Sequence, residues 1–234
     1  MSIIIELLAS LLPYGVTQIW NYVSRDRHFD KFWGEFTEDL LIVLPFRNPS
    51  PEARYSPTLV GLMEFSNRLR EIKAIDVTSS DNLSFSEQRR NILAVGGPIT
   101  NLVTKNILQH DSIFYSFEGH AIVRVNEPDW RLDPTPKSGM MIEKDYGLIT
   151  RISNPYDKSK DVICLAGCYG WGVQACLRLL SDVDSIKYLN SATRYFQVIC
   201  SCDIDKNDYA MLPYIMDIHP ESTKQLDTFR TIIT

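Results

Sequence analysis

Metal-site spacings are missing from this chain. It has no Cys-x-x-Cys pair and no His-Glu-x-x-His helix, and its four histidines are dispersed, which leaves zinc catalysis without a ligand set. No serine stands in Gly170-Trp171-Gly172, so the strained turn that exposes an esterase nucleophile is absent as well. The five cysteines are an odd number, with Cys164, Cys168 and Cys176 spread over one strand–turn–helix unit. They read as reduced thiols rather than a disulfide framework, and a cytoplasmic setting is expected. Cys200-Ser201-Cys202 is too close to form an ordinary metal clip alone. Positive charge is in deficit, with a formal net charge of -5. Affinity for phosphate backbones comes largely from clustered Lys and Arg, so general nucleic-acid binding is not expected. Repeats and low-complexity tracts are also lacking.

The longest apolar run near the amino terminus, residues 3–12, has no basic flank, carries Glu6 and meets Pro13 after about three turns, which suits neither a signal peptide nor a full-width span. A docking helix or a crossing between subunits is expected there, with membrane-surface attachment as the alternative. Val16, Ile19, Trp20 and Val23 continue a helical stripe. Residues 1–36 are therefore assigned to amino-terminal docking or oligomerisation helices, and residues 37–234 to a ligand-binding domain. Trp20, Phe29, Phe32 and Trp33 are candidates for a homo-oligomer surface or a contact with an effector protein.

What the chain does contain is a series of short, mostly apolar runs, of which Leu40 to Leu44 is continuously so. Leu40 to Leu44, Ala74 to Val77, Ile92 to Val95, Asp161 to Ala166 and Tyr195 to Cys200 match strands covered on both faces. Helical patterns follow from Thr58 to Ile72, Ile99 to Leu108 and Val173 to Leu180. Between the third and fourth runs, Ser112 to Phe117 and Ala121 to Val125 form a hairpin around Glu118-Gly119-His120. A proline-containing loop over 126–138, with Trp130, and a strand over 145–152 complete the insertion. The fold class is α/β: a Rossmann-like, doubly wound, mostly parallel sheet with an inserted antiparallel ribbon. Tyr209 to Ile218 is read as an edge segment or docking helix.

Two of the strands end in glycine and hand over to a helix, at Gly96-Gly97-Pro98 and at Gly167-Cys168-Tyr169-Gly170-Trp171-Gly172. Missing side chains let backbone N–H groups approach a small anion, and the carboxyl ends of parallel strands are where such ligands collect. Asn101 and Thr104, one turn apart, are candidates for the same ligand oxygen or sugar hydroxyl, with local capping as the alternative, and Lys105 for a phosphate. Tyr169 and Trp171 offer flat faces for a base, with the Trp130 loop nearby. Arg47 and Arg151 are distant anion clamps. Cys168 lines the second turn, with no base spaced to activate it as a nucleophile.

Gly96-Gly97-Pro98-Ile99-Thr100-Asn101, Asp145-Tyr146-Gly147-Leu148-Ile149, Asn154-Pro155-Tyr156 and Leu165-Ala166-Gly167-Cys168-Tyr169-Gly170-Trp171-Gly172 form an ordered series. It resembles poorly characterised bacterial Rossmann-like domains, similar in turn to nucleotide-ligand sensor domains of signalling and defence. The resemblance implies a nucleotide or nucleotide-derived ligand, with no cofactor and no metal. The chain lacks the Pro-Gly-Gly-x-Gly-Thr signature of the related phosphoribohydrolases and a full Gly-x-Gly-x-x-Gly fingerprint. A sensor with no catalytic residues is therefore the leading expectation. An N-glycosidic hydrolase or transferase using Glu64 and Asp145 is the enzymatic alternative, and a protein-interaction scaffold the third.

Overall fold

The computed structural model describes residues 27–36, 38–45, 57–66, 75–111, 113–136, 142–191, 194–205, 211 and 213–220. The apolar run of residues 3–12, the stripe through Trp20, Arg47 with its proline-rich loop, and the stretch over residues 67–74 lie outside the described residues.

The apolar runs become one half of a large sheet. Strands β1 (Leu40–Leu44), β2 (Ile75–Ser79), β3 (Asn91–Val95) and β9 (Asp161–Gly167) lie parallel in the order β2-β1-β3-β9. Beside β9 runs β8 (Ile142–Ser153), antiparallel to it; β10 (Phe196–Asp203) reverses again, so it points with the parallel set, and β11 (Tyr214–Pro220) closes the edge. A short β7 (Thr135–Pro136) pairs with β8. The insertion builds a second sheet of β4 (Tyr115–Glu118), β5 (Ala121–Arg124) and β6 (Glu127–Leu132). This is the expected Rossmann-like, doubly wound architecture with an inserted antiparallel ribbon.

Three layers result. A helix over 27–33 (α1), α2 (Pro57–Ser66), α4 (Gly170–Leu179) and α5 (Val183–Ser191) cover one face of the large sheet, and α3 (Leu102–Ile107) with the ribbon covers the other. Period-two alternation sorts the side chains: along β10, Phe196, Val198 and Cys200 meet the four helices, while Ile199 meets the ribbon side. Phe29, Phe32, Trp33 and Phe36 are buried against Phe65 and the sheet, with Trp33 edge-on to Phe32 at 5.2 Å. The expectation that Phe29, Phe32 and Trp33 form an interaction surface is thereby corrected. Large aromatics gain most from burial, and the helix face of this domain takes them.

Three other departures have local causes. The stretch 126–138, expected as a loop, contains β6 and β7, because Trp130 and Leu132 pack onto the core beneath the ribbon and an edge strand tolerates proline. Helix α5 has no counterpart in the sequence reading. Helix α4 starts at Gly170 rather than Val173, so Gly170, Trp171 and Gly172 are its first turn.

That first turn explains the glycines. A Cβ on Gly172 would overlap the Tyr146 carbonyl oxygen, one on Gly167 would lie 2.5 Å from the Val173 nitrogen, and one on Gly147 would lie 2.5 Å from the Cys176 sulfur. Helix α4 therefore rests directly on the backbone of β8 and β9. Helix propensity alone favours alanine over glycine inside a helix by about 1 kcal/mol, but overpacking against unyielding backbone reverses the sign. Gly172→Ala is expected to cost about 3 kcal/mol or more, whereas Gly97→Ala, whose Cβ would meet only the Gly167 carbonyl at 3.3 Å, is expected to cost under about 1 kcal/mol. Thermal unfolding followed by circular dichroism compares the two; equal melting temperatures would refute the packing account.

Candidate functional site at the carboxyl edge of the parallel strands

The two glycine turns do meet. Gly96 donates its N–H to the Leu165 carbonyl at 2.9 Å, and Gly97 abuts Gly167. Gly96 has a φ of 115°, a left-handed conformation that side chains resist. The order β2-β1-β3 also makes the gap between β1 and β3 a topological switch point, where open α/β sheets form their crevice.

The chain fills that crevice with its own groups. Asn101, fully buried, donates from Nδ2 to the carbonyls of Val43 and Val95, both at 3.0 Å, tying the ends of β1 and β3 together. Its Oδ1 accepts the N–H groups of Val103 at 3.0 Å and Thr104 at 3.3 Å, capping α3. Both amide protons and the oxygen are thus committed. Thr104 is buried with its hydroxyl beside the Cys164 thiol, which burial pushes up to about 12. Neither residue faces a ligand space, so their expected convergence on one ligand oxygen is corrected.

The second turn holds an internal anion. Asp145, fully buried on β8, accepts the N–H of Gly172 at 2.6 Å from Oδ2, that of Tyr146 at 2.8 Å from Oδ1, and that of Tyr169 at 3.2 Å. The positive end of α4 thus receives a carboxylate from the neighbouring strand. Desolvation raises the Asp145 pKa to about 6, against the pull of the backbone N–H groups and the nearby His120. Gly167 and Gly172 permit this close fit rather than the approach of an outside phosphate. Gly170 lies against Pro57 and Thr58 of α2.

The aromatic residues diverge. Tyr169 stacks on His120 from the tip of the β4–β5 hairpin, centroids 4.6 Å apart and planes within 5°, and His120 Nδ1 lies 2.9 Å from the Cys168 carbonyl. Trp171 packs into the helix-side core, on the other face of the sheet. Trp130 lies against the Arg124 guanidinium at 4.5 Å. They form no shared platform for a base. Cys168 is buried, and burial beside Asp145 pushes its thiol well above the ordinary range, which removes it as a thiolate.

Arg151 is placed at the other end of the sheet. Asp145 and Arg151 share the helix face of β8 but are six residues apart, about 20 Å at strand rise. The Arg151 guanidinium donates to Asp161 at 2.7 and 3.0 Å and to the Phe32 carbonyl at 3.2 Å, over the ring of Phe32. Its expected role as a clamp at the crevice is corrected to that of an anchor for α1. Glu64 likewise pairs with Arg178, at 2.8 and 2.9 Å, at the far end of α4 from Asp145. The two carboxylates cannot work as an acid and base across one bond.

An open space lies at this edge among the described residues. A groove of about 410 Å³ lies between Ile99, Leu102 and Lys105 on the α3 side and Ser116, Phe117 and Gly119 of the ribbon. Lys105 is the only charged residue among the described residues that line it. Sequence reasoning named Lys105 but placed the site in the glycine turns beside it; what it missed was Asp145 as the anion already in place. An acidic residue two positions before Gly147, at the head of the apolar part of its strand, was the signal.

No protein-family model matches the chain, and no curated protein matches it in sequence. Among the described residues no group of three or more His, Cys, Asp and Glu side chains could hold a metal ion, and no helix is long and apolar enough to cross a membrane.

Two outcomes follow from this geometry. Because the Asp145 pKa is raised from 3.8 to about 6, the folded state holds the proton more tightly than the unfolded chain. Its contribution to stability is complete below about pH 4 and is lost as pH rises through about 6, a change of about 3 kcal/mol. Asp145→Asn should remove that slope, seen by comparing urea midpoints of the two proteins from pH 4 to 7; parallel profiles would contradict it. Arg151→Ala leaves the fully buried Asp161 short of its main partner and should cost about 3–5 kcal/mol in the same assay.

Proposed function

We propose that this domain binds a small anionic ligand of nucleotide or nucleotide-derived type in the groove between α3 and the β4–β5 hairpin, and acts as a sensor rather than a catalyst. The groove itself carries the reading: about 410 Å³ falls within the range of small-molecule sites, and it opens at the carboxyl edge of the parallel strands, where such folds bind ligands. Lys105 supplies a cation, and Ile99, Leu102 and Phe117 supply apolar contact for a ring. The separation of Glu64 from Asp145 and the burial of Cys168 favour binding over turnover. The resemblance of the turn series to bacterial nucleotide sensors supports a role in signalling or antiviral defence.

Titration of the whole chain with mono-, di- and cyclic nucleotides, read by heat and by thermal shift, tests the proposal. Lys105→Ala should weaken binding by about tenfold, with the difference shrinking at high salt and the melting temperature of the unliganded protein unchanged. Absence of saturable binding across the panel, or release of free base during incubation, would overturn it.

A further inference from the structure

We infer that the groove selects a ring-bearing ligand with a single negative charge, a phosphodiester or a carboxylate, and discriminates against polyphosphates; this rests on the groove being the ligand site. Polyphosphate sites in Rossmann-like folds draw on several backbone N–H groups at a glycine turn and a helix start. Here five such groups at the first turn are committed inside the protein. The N–H groups of Thr100 and Asn101 go to the Gly97 carbonyl, those of Val103 and Thr104 to Asn101 Oδ1, and that of Lys105 to the Asn101 carbonyl. Across the sheet, Tyr169 and Gly172 give theirs to Asp145, and Cys168 gives its own to Tyr146.

What faces the groove is one ammonium, from Lys105, and the amide of Gln109; the Ser116 hydroxyl donates to the Leu108 carbonyl at 3.4 Å. One cation balances one charge. The further charges of a polyphosphate would lie against the apolar side chains of Ile99, Leu102, Leu108 and Phe117, which offer no side-chain donor to replace the lost water. The apolar wall instead suits a flat ring.

The experiment uses the whole chain at pH 7.5 with four probes: 3′,5′-cyclic AMP and benzoate as ring-bearing monoanions of the two chemistries, ATP as the polyphosphate, and adenosine as the neutral ring. Binding is measured by calorimetry for the native protein, Lys105→Gln and Ile99→Trp. Lys105→Gln removes the charge, and Ile99→Trp fills the groove from a half-exposed position. The expected result is that at least one monoanion binds ten-fold or more tightly than both ATP and adenosine, that Lys105→Gln lowers its affinity by about ten-fold while leaving adenosine unchanged, and that Ile99→Trp weakens both. ATP binding as tightly as the monoanions, with the same loss in both variants, would overturn the charge selection and leave the groove as the site. Binding of any probe that neither variant alters, or no binding of any probe, would overturn the groove as the site and the inference with it.

Discussion

The Asp145 carboxylate, buried among backbone N–H groups, is the contact on which the carboxyl edge depends. It is made by strand β8 and received by helix α4, and it works only because α4 lies on the strand at glycine distance. Gly147 and Gly172 bring the two backbones together; the carboxylate then satisfies N–H groups that the close approach has removed from water. Either half of the arrangement without the other would leave buried polar groups unpaired. A strand inserted antiparallel into a Rossmann-like sheet is thereby locked in register with the helix that follows its neighbour.

The same strand carries the opposite charge at its other end. Arg151 meets Asp161, which also accepts from Arg194 at 3.1 Å, while Arg194 pairs in turn with Glu35. Asn91 adds a bond from its amide to the Glu35 carbonyl at 2.6 Å. These bonds tie the aromatic segment over 27–36 to the amino ends of β3 and β9. Buried ion pairs add little net stability over apolar packing; their use here is to fix where α1 sits, since aromatic rings alone pack in several ways.

The layered fold was legible because most of its parallel strands are short, predominantly apolar runs and its helices are periodic. Edge and inserted elements were harder: β6 and β7 carry prolines, and only their pairing, β6 with β5 and β7 with β8, makes them strands. The pairing of β8 with β9 is a local hairpin, but its pairing with β10 is long-range and no local pattern encodes it. At the site, glycine spacing correctly marked a close backbone approach, but a glycine looks the same whether it admits a ligand or another part of the chain. Asn101, Asp145 and Arg151 were visible as polar residues near the right turns and strands. Local capping by Asn101 was readable from spacing, since it meets Val103 and Thr104; the partners Val43, Gly172 and Asp161 lie on other elements, and the commitment of the side chains to them could not be read so.

Gln197 on β10 is nearly fully buried and holds the ribbon from beneath: its side chain accepts the N–H groups of Phe114 and Tyr115 at 2.8 Å and donates to the Tyr115 carbonyl at 2.9 Å. It stands in for a missing strand. The order in which the chain assembles is affected. The ribbon is a local meander closed by short turns, yet the pairing of β3 with β9 must bridge everything from Val95 to Val162, and Gln197 arrives later still. Non-local pairings of this kind are slow to form. A preformed ribbon shortens the effective loop between β3 and β9, but the seat of its base at Phe114 and Tyr115 is completed only when β10 is laid down.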